Sequence, residues 1–266
     1  SCFDLSDKAV TVHPIPSVTI TSNTAVCKGD TATLKADGAA SYSWRDQNNN
    51  ILCSNCQVLK VQPGSSSQYK VVGVSQYGCS EIQTTNLHLV QPLKMLAAQG
   101  DTICYGQSKR LFAAGANSYT WYPETGLSNK NAATPVASPQ QTTTYHVIGK
   151  DQYGCFADTA EVKMVVGLPT AIHIGKDTVM SAGDILQIKT VTERPDIVKW
   201  AWYGSSNLSC YNCATPQLKV GDDVSLICRA TNRYGCISID TLNIKTFCPG
   251  TLVFIPNAFS PDGDGI

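Results

Sequence analysis

Short stretches in which apolar and polar side chains alternate with a period of two recur along the whole chain, as at 31–36, 68–75 and 86–90, each bounded by Gly, Asn or Asp. Successive side chains of a strand point to opposite faces, so this pattern predicts half-buried β-strands. No amphipathic helical stretch competes with it. Comparing the chain with itself groups the strands into units. Tyr77-Gly78-Cys79, Tyr153-Gly154-Cys155 and Tyr234-Gly235-Cys236 are spaced by 76 and 81 residues, and Trp44, Trp121 and Trp202 by 77 and 81. Cys27-Lys28-Gly29-Asp30, Cys104-Tyr105-Gly106-Gln107 and Ser181-Ala182-Gly183-Asp184 match in the same way.

Each copy is therefore a domain of about 77 residues. The expected boundaries are 16–91, 92–169 and 170–248, with 1–15 read as the last strand of an earlier copy, because Cys2 precedes Pro16 as Cys155 precedes Pro169. Six or seven short strands per copy predict an all-β tandem array of Greek-key sandwiches of immunoglobulin-like type. Tyr42 with Trp44, Tyr119 with Trp121 and Trp200 with Trp202 stand two apart, so both members of each pair are expected in the core. A carbohydrate-stacking platform would need exposed rings; recurrence at one strand position in every copy favours the core.

Composition narrows the function classes. The 266 residues carry 20 basic and 20 acidic side chains, only 15% charged, which leaves no electrostatic footprint for nucleic acid or an anionic membrane. No apolar run is long enough for a membrane span. The four His are scattered, and no nucleophile elbow, zinc-binding His pair or phosphate loop is present, so neither catalysis nor a cofactor is expected.

Twelve Cys point to disulfides in an oxidising compartment. Cys53-x-x-Cys56 and Cys210-x-x-Cys213 occupy one position in copies one and three, where copy two has Asn129 and Ala132; loss of both together is the mark of a bonded pair. Two schemes fit the others. Bonding within copies joins Cys27 to Cys79 and Cys104 to Cys155, with Cys228 to Cys236. Bonding between copies joins Cys27 to Cys155 and Cys104 to Cys236, with Cys228 near Cys248, while Cys2 and Cys79 look upstream of Ser1. The second scheme is favoured because the first corner and the last hairpin of one sandwich lie at opposite ends.

The text changes after copy three. The segment 256–266, Pro-Asn-Ala-Phe-Ser-Pro-Asp-Gly-Asp-Gly-Ile, closely resembles the opening of the gliding-motility-associated C-terminal domain of Bacteroidota surface proteins, so 249–266 reads as the start of such a domain. The resemblance implies a sorting signal for type IX secretion, with that secretion and attachment machinery as partner. It also implies that the repeats are similar to the polycystic-kidney-disease-like and immunoglobulin-like repeats of large adhesins. The O-glycosylation sequon of that phylum, Asp-Ser/Thr followed by an apolar residue or Thr, occurs at Thr31, Thr102, Thr159, Thr178 and Thr241; the plainer reading is that Asp-Thr opens a strand after a turn. Asp262 and Asp264 are too few carboxylates for a Ca²⁺ site, and no metal site is expected.

These readings converge on a non-catalytic stalk of a large secreted adhesin, at the cell surface and serving attachment or gliding. The alternative is a set of polysaccharide-binding or accessory modules of a secreted polysaccharide-degrading enzyme.

Overall fold

The computed structural model describes residues 11–247, all in strands, turns and loops; Cys2, Cys248 and the segment 249–266 lie outside the described residues. Copy one shows the plan. Its strands are β1 (Thr19–Ser22), β2 (Ala25–Cys27), β3 (Ala32–Asp37), β4 (Ser41–Arg45), β5 (Ile51–Ser54), β6 (Val58–Val61), β7 (Ser67–Val74) and β8 (Ser80–Val90). They form two sheets, β1-β3-β6 and β2-β8-β7-β4-β5. This is one strand more than expected, because the first strand divides. β1 runs antiparallel to β3 in one sheet; the chain then crosses at Asn23-Thr24, and β2 runs parallel to β8 in the other.

Copies two and three repeat four of the five strands of the larger sheet, those matching β2, β8, β7 and β4. Asp101–Cys104, Ala157–Gly167, Thr143–Lys150 and Ser118–Tyr122 lie side by side in copy two, as do Thr178–Ser181, Ile237–Phe247, Val224–Asn232 and Ile197–Tyr203 in copy three. The facing sheet is reduced to two-residue and three-residue ladders such as Leu96–Ala97 with Ala113–Ala114 and Ile185–Gln187 with Gln217–Lys219.

Each copy packs its own core between the two layers. Trp44, Trp121 and Trp202 stand at the centre of these cores, at 0%, 0% and 3% exposure. Their indole N–H groups donate to equivalent carbonyls, those of Cys56 (3.1 Å), Ala132 (2.9 Å) and Cys213 (2.8 Å), so a large apolar body is buried with its polar atom satisfied. Of the second aromatics, Tyr42 is buried, while Tyr119 and Trp200 are half-buried at the core margin. The expectation of full burial thus holds for Tyr42 and fails for Tyr119 and Trp200; the Tyr42 and Tyr119 hydroxyls donate to the Ala39 and Ala116 carbonyls, both at 2.9 Å, so the phenol's polar atom is satisfied at either depth. Trp200 has no such bond in copy three. Gly38 and Gly115, in the turns just before, have φ of +97° and +98°, and a Cβ there would overlap the Ser17 and Lys94 carbonyls.

Candidate functional site: the cysteine-closed joints

The Tyr-Gly-Cys hairpin is built the same way three times. The residue that opens it, Ser75, Asp151 or Asn232, turns its side chain back to accept two backbone N–H groups. Ser75 Oγ accepts from Tyr77 and Cys79 at 3.3 and 3.2 Å, and Asn232 Oδ1 from Tyr234 and Cys236, both at 3.0 Å. Asp151 accepts from Tyr153 at 2.6 Å and from Phe156. The Gly that follows Tyr has φ of +84°, +74° and +80°, which glycine adopts freely. This geometry aims the Cys outward from the pole of each sandwich.

At the opposite pole, the short strand parallel to the last strand ends in Cys27, Cys104 or Ser181, beside Val90, Gly167 and Phe247. The next amide closes the pair in every copy: Lys28 to Val90, Tyr105 to Gly167 and Ala182 to Phe247, at 3.0, 2.8 and 3.0 Å.

The structure bonds the two poles across consecutive copies. Cys27 is joined to Cys155 and Cys104 to Cys236, with Cα–Cα distances of 5.4 and 5.5 Å; these are the pairs of the between-copy scheme. Around the first bond, His88 packs on Tyr153 with ring centroids 5.5 Å apart. Around the second, Gly167 lies so close to Tyr234 that a Cβ on the glycine would overlap the tyrosine's Cβ.

The second joint is also pinned through its linker. Asn232 Nδ2 donates to the Leu168 carbonyl at 2.8 Å, and one Arg194 nitrogen donates to Leu168 and Pro169 carbonyls at 3.1 and 2.7 Å. Thr170 is fully buried and donates to Asp196 at 2.5 Å, with Asp196 only 7% exposed. A cleft of about 360 Å³ remains beside this linker, lined by Leu168, Arg194, Asp196, Arg233 and Tyr234 among others.

Asp151 offers a direct probe of the first joint. Burial works to raise its pKa, but the amides of Phe156, Tyr153, Cys155 and Gly154 outweigh it and hold the carboxyl below its ordinary value. A depressed folded value means that the contribution is present above the unfolded pKa of about 3.9 and fades as pH falls through the lower folded value. Asp151→Ala is expected to lower the protection of the Tyr153 and Phe156 amides, taken relative to the intrinsic exchange rate at the same pH, at neutral pH, and acidifying the wild type below about pH 4 should lower the same protection. Equal protection in both proteins would show that the side chain does not hold the turn.

The remaining sequence-selected residues fall as follows. Cys53 is bonded to Cys56 and Cys210 to Cys213, at Cα–Cα 6.1 and 6.0 Å, on the segment whose carbonyl receives the Trp indole. In copy two the Asn129 side chain accepts the Asn131 amide at 2.8 Å, so a turn bond stands where the others have sulfur. Cys228, expected near Cys248, lies within the strand Val224–Asn232. It sits mid-strand opposite Trp202 and Asp240, fully buried, and desolvation first, then Asp240, pushes its thiol up to about 12. The reason for pairing it with Cys248 is thereby removed, since Cys228 faces the core and not the pole; Cys248 itself lies outside the described residues. Among the described residues no group of three metal-binding side chains occurs.

Thr31, Thr102, Thr159 and Thr241 are exposed and Thr178 is half-buried. Four of the Asp residues before them have structural partners. Asp158 and Asp240 accept the Met95 and Ile174 amides at 2.8 and 2.9 Å, tying the first strand of a copy to its last. Glu81 does the same for Val18 at 2.7 Å. Asp101 pairs with Lys109 and Asp177 with Asn243. These carboxylate anchors were missed by sequence reasoning, although an acidic residue two to four places after each hairpin Cys was visible.

No protein-family model matches the chain, and no curated protein does. Among solved structures it is similar to the three N-terminal domains of the bacteriophage RB49 Highly Immunogenic Outer Capsid protein, at 14% identity over 88% of this chain and 99% of that one, with a TM-score of 0.51. It is also similar to the I-band fragment I67–I69 of titin (14% identity, 89% and 100% covered, TM-score 0.48) and to immunoglobulin domains 1–5 of Sidekick-1 (13%, 88% and 59%, 0.47). At such identities likeness speaks to fold alone, and together with the strand order it makes the chain a tandem array of immunoglobulin-like β-sandwiches.

Proposed function

We propose that these domains form a stiff, non-catalytic stalk of an extracellular adhesin, a spacer that holds a binding region away from a cell surface. The observation that carries this reading is the pair of disulfides between consecutive domains. Joints between domains of one chain ordinarily move; a covalent tie besides the linker removes most of that freedom, and disulfides persist outside the reducing cytosol. Export by type IX secretion, attachment or gliding, and glycans on the Asp-Thr sites rest on the sequence resemblance and belong to the same proposal. Polysaccharide binding by the array has one feature in its favour, the cleft of the second joint with Tyr234 and Arg233 on its wall.

The test compares small-angle scattering of the oxidised protein with that of a variant carrying C27S, C155S, C104S and C236S. The stalk reading expects a narrow distribution of inter-domain distances that broadens in the variant. An equally broad distribution in both would remove it, and tight binding to a glycan array by the oxidised protein would favour the binding reading instead.

A further inference from the structure

The hairpin that closes both joints occurs a third time, at Ser75–Cys79, and there Cys79 is partly exposed with no disulfide partner among the described residues. The chain entering copy one already lies against it. The His13 ring stacks on Tyr77 at 3.8 Å and 6°, and the His13 carbonyl is 3.7 Å from Cys79 Sγ. At the second joint Gly167 holds the equivalent place: its carbonyl is 3.4 Å from Cys236 Sγ, and it backs onto Tyr234. Gly167 ends a last strand, and the strand parallel to it ends in Cys104, the cysteine that bonds Cys236. Val90 stands in the same relation to Cys27. At His13 no described strand occupies that edge.

We propose that the His13–Tyr77–Cys79 surface docks a preceding immunoglobulin-like domain of the same polypeptide, whose corner cysteine sits beside His13 and is bonded to Cys79. The partner's corner chemistry follows from the two bonded examples. Cys27 and Cys104 each open a turn closed by a hydrogen bond of 2.9 Å from the third residue on, with Gly29 or Gly106 at φ +96° or +84°. The partner is therefore a Cys-x-Gly corner. The described domains cannot supply it, because Cys27 and Cys104 are engaged and the third corner is Ser181. On bonding, two thiols lose two protons and two electrons, which a disulfide oxidant takes up as it is reduced to two thiols. This inference deepens the stalk reading and rests on it for its sense of direction, but its test reads a different bond.

Disulfide mapping of the protein isolated from its host, alkylated before reduction, is expected to recover Cys79 linked to a cysteine followed two residues later by glycine. Cys79 alkylated as a free thiol, or linked to Cys2, overturns the proposal. Flexible joints in the scattering experiment with Cys79 linked as expected would instead remove only the stiffness of the stalk.

Discussion

Removing the second joint's disulfide with the pair C104A and C236A is expected to lower stability by about 3–5 kcal/mol. The bond closes a loop with a sequence separation of 132 residues, and in the chain-entropy treatment loops of that order give the largest stabilisation a disulfide offers. The Cys53–Cys56 and Cys210–Cys213 bonds, with a separation of 3, restrict the unfolded chain far less. In a calorimetric scan the transitions of copies two and three should move down by roughly 10 °C, while copy one stays near its wild-type value. The pair C53A and C56A should shift copy one by much less. If the two pairs of substitutions cost the same, the long bond does not act through loop closure.

Trp121→Ala is expected to cost a similar amount, about 3–5 kcal/mol, by emptying the centre of copy two. Trp121 is wholly buried among Leu111, Tyr145, Val147 and Met164 of the same core, and the Ala132 carbonyl would lose its indole donor. Copy two also lacks the local disulfide of its neighbours, so it has less to fall back on. Urea unfolding followed by Trp fluorescence of copies one and three and by circular dichroism of the whole should separate an early copy-two transition from the others. Trp121→Phe, which keeps most of the ring volume, should cost nearer 1–2 kcal/mol. A loss below about 1 kcal/mol for the alanine variant would mean that the core closes over the gap.

The repeat was legible because its markers are residues that backbone geometry restricts: glycine at positive φ in the hairpin, tryptophan at the centre of the core, cysteine at the poles. The pairing across copies followed from the positions of corner and hairpin in a sandwich, which needs topology and no distances. Three things were not legible. The crossing of the first strand between sheets at Asn23-Thr24 depends on which edge is free, and alternation reads alike on both sides of the crossing. Tyr119 and Trp200 sit at the margin of their cores, where period alone places them inside. Asp158 and Asp240 drew attention as the start of Asp-Thr dipeptides, while their observed work is to hold the Met95 and Ile174 amides across the sandwich.

The two long bonds interlock, since Cys104 lies within the loop closed by Cys27 and Cys155, and Cys155 within the loop closed by Cys104 and Cys236. This sets a limit on how far the molecule can be drawn out under tension. Pulled as a bare chain, the roughly 209 residues from Cys27 to Cys236 could extend to about 700 Å. With both bonds intact the taut route crosses from Cys27 to Cys155, returns along the roughly 51 residues to Cys104 and crosses to Cys236, about 180 Å at full stretch. Most of copies one and three between the bonded cysteines then hangs slack in parallel with that route. Tension applied across Cys27 and Cys236 would meet a hard stop at about a quarter of the contour length of the chain between them.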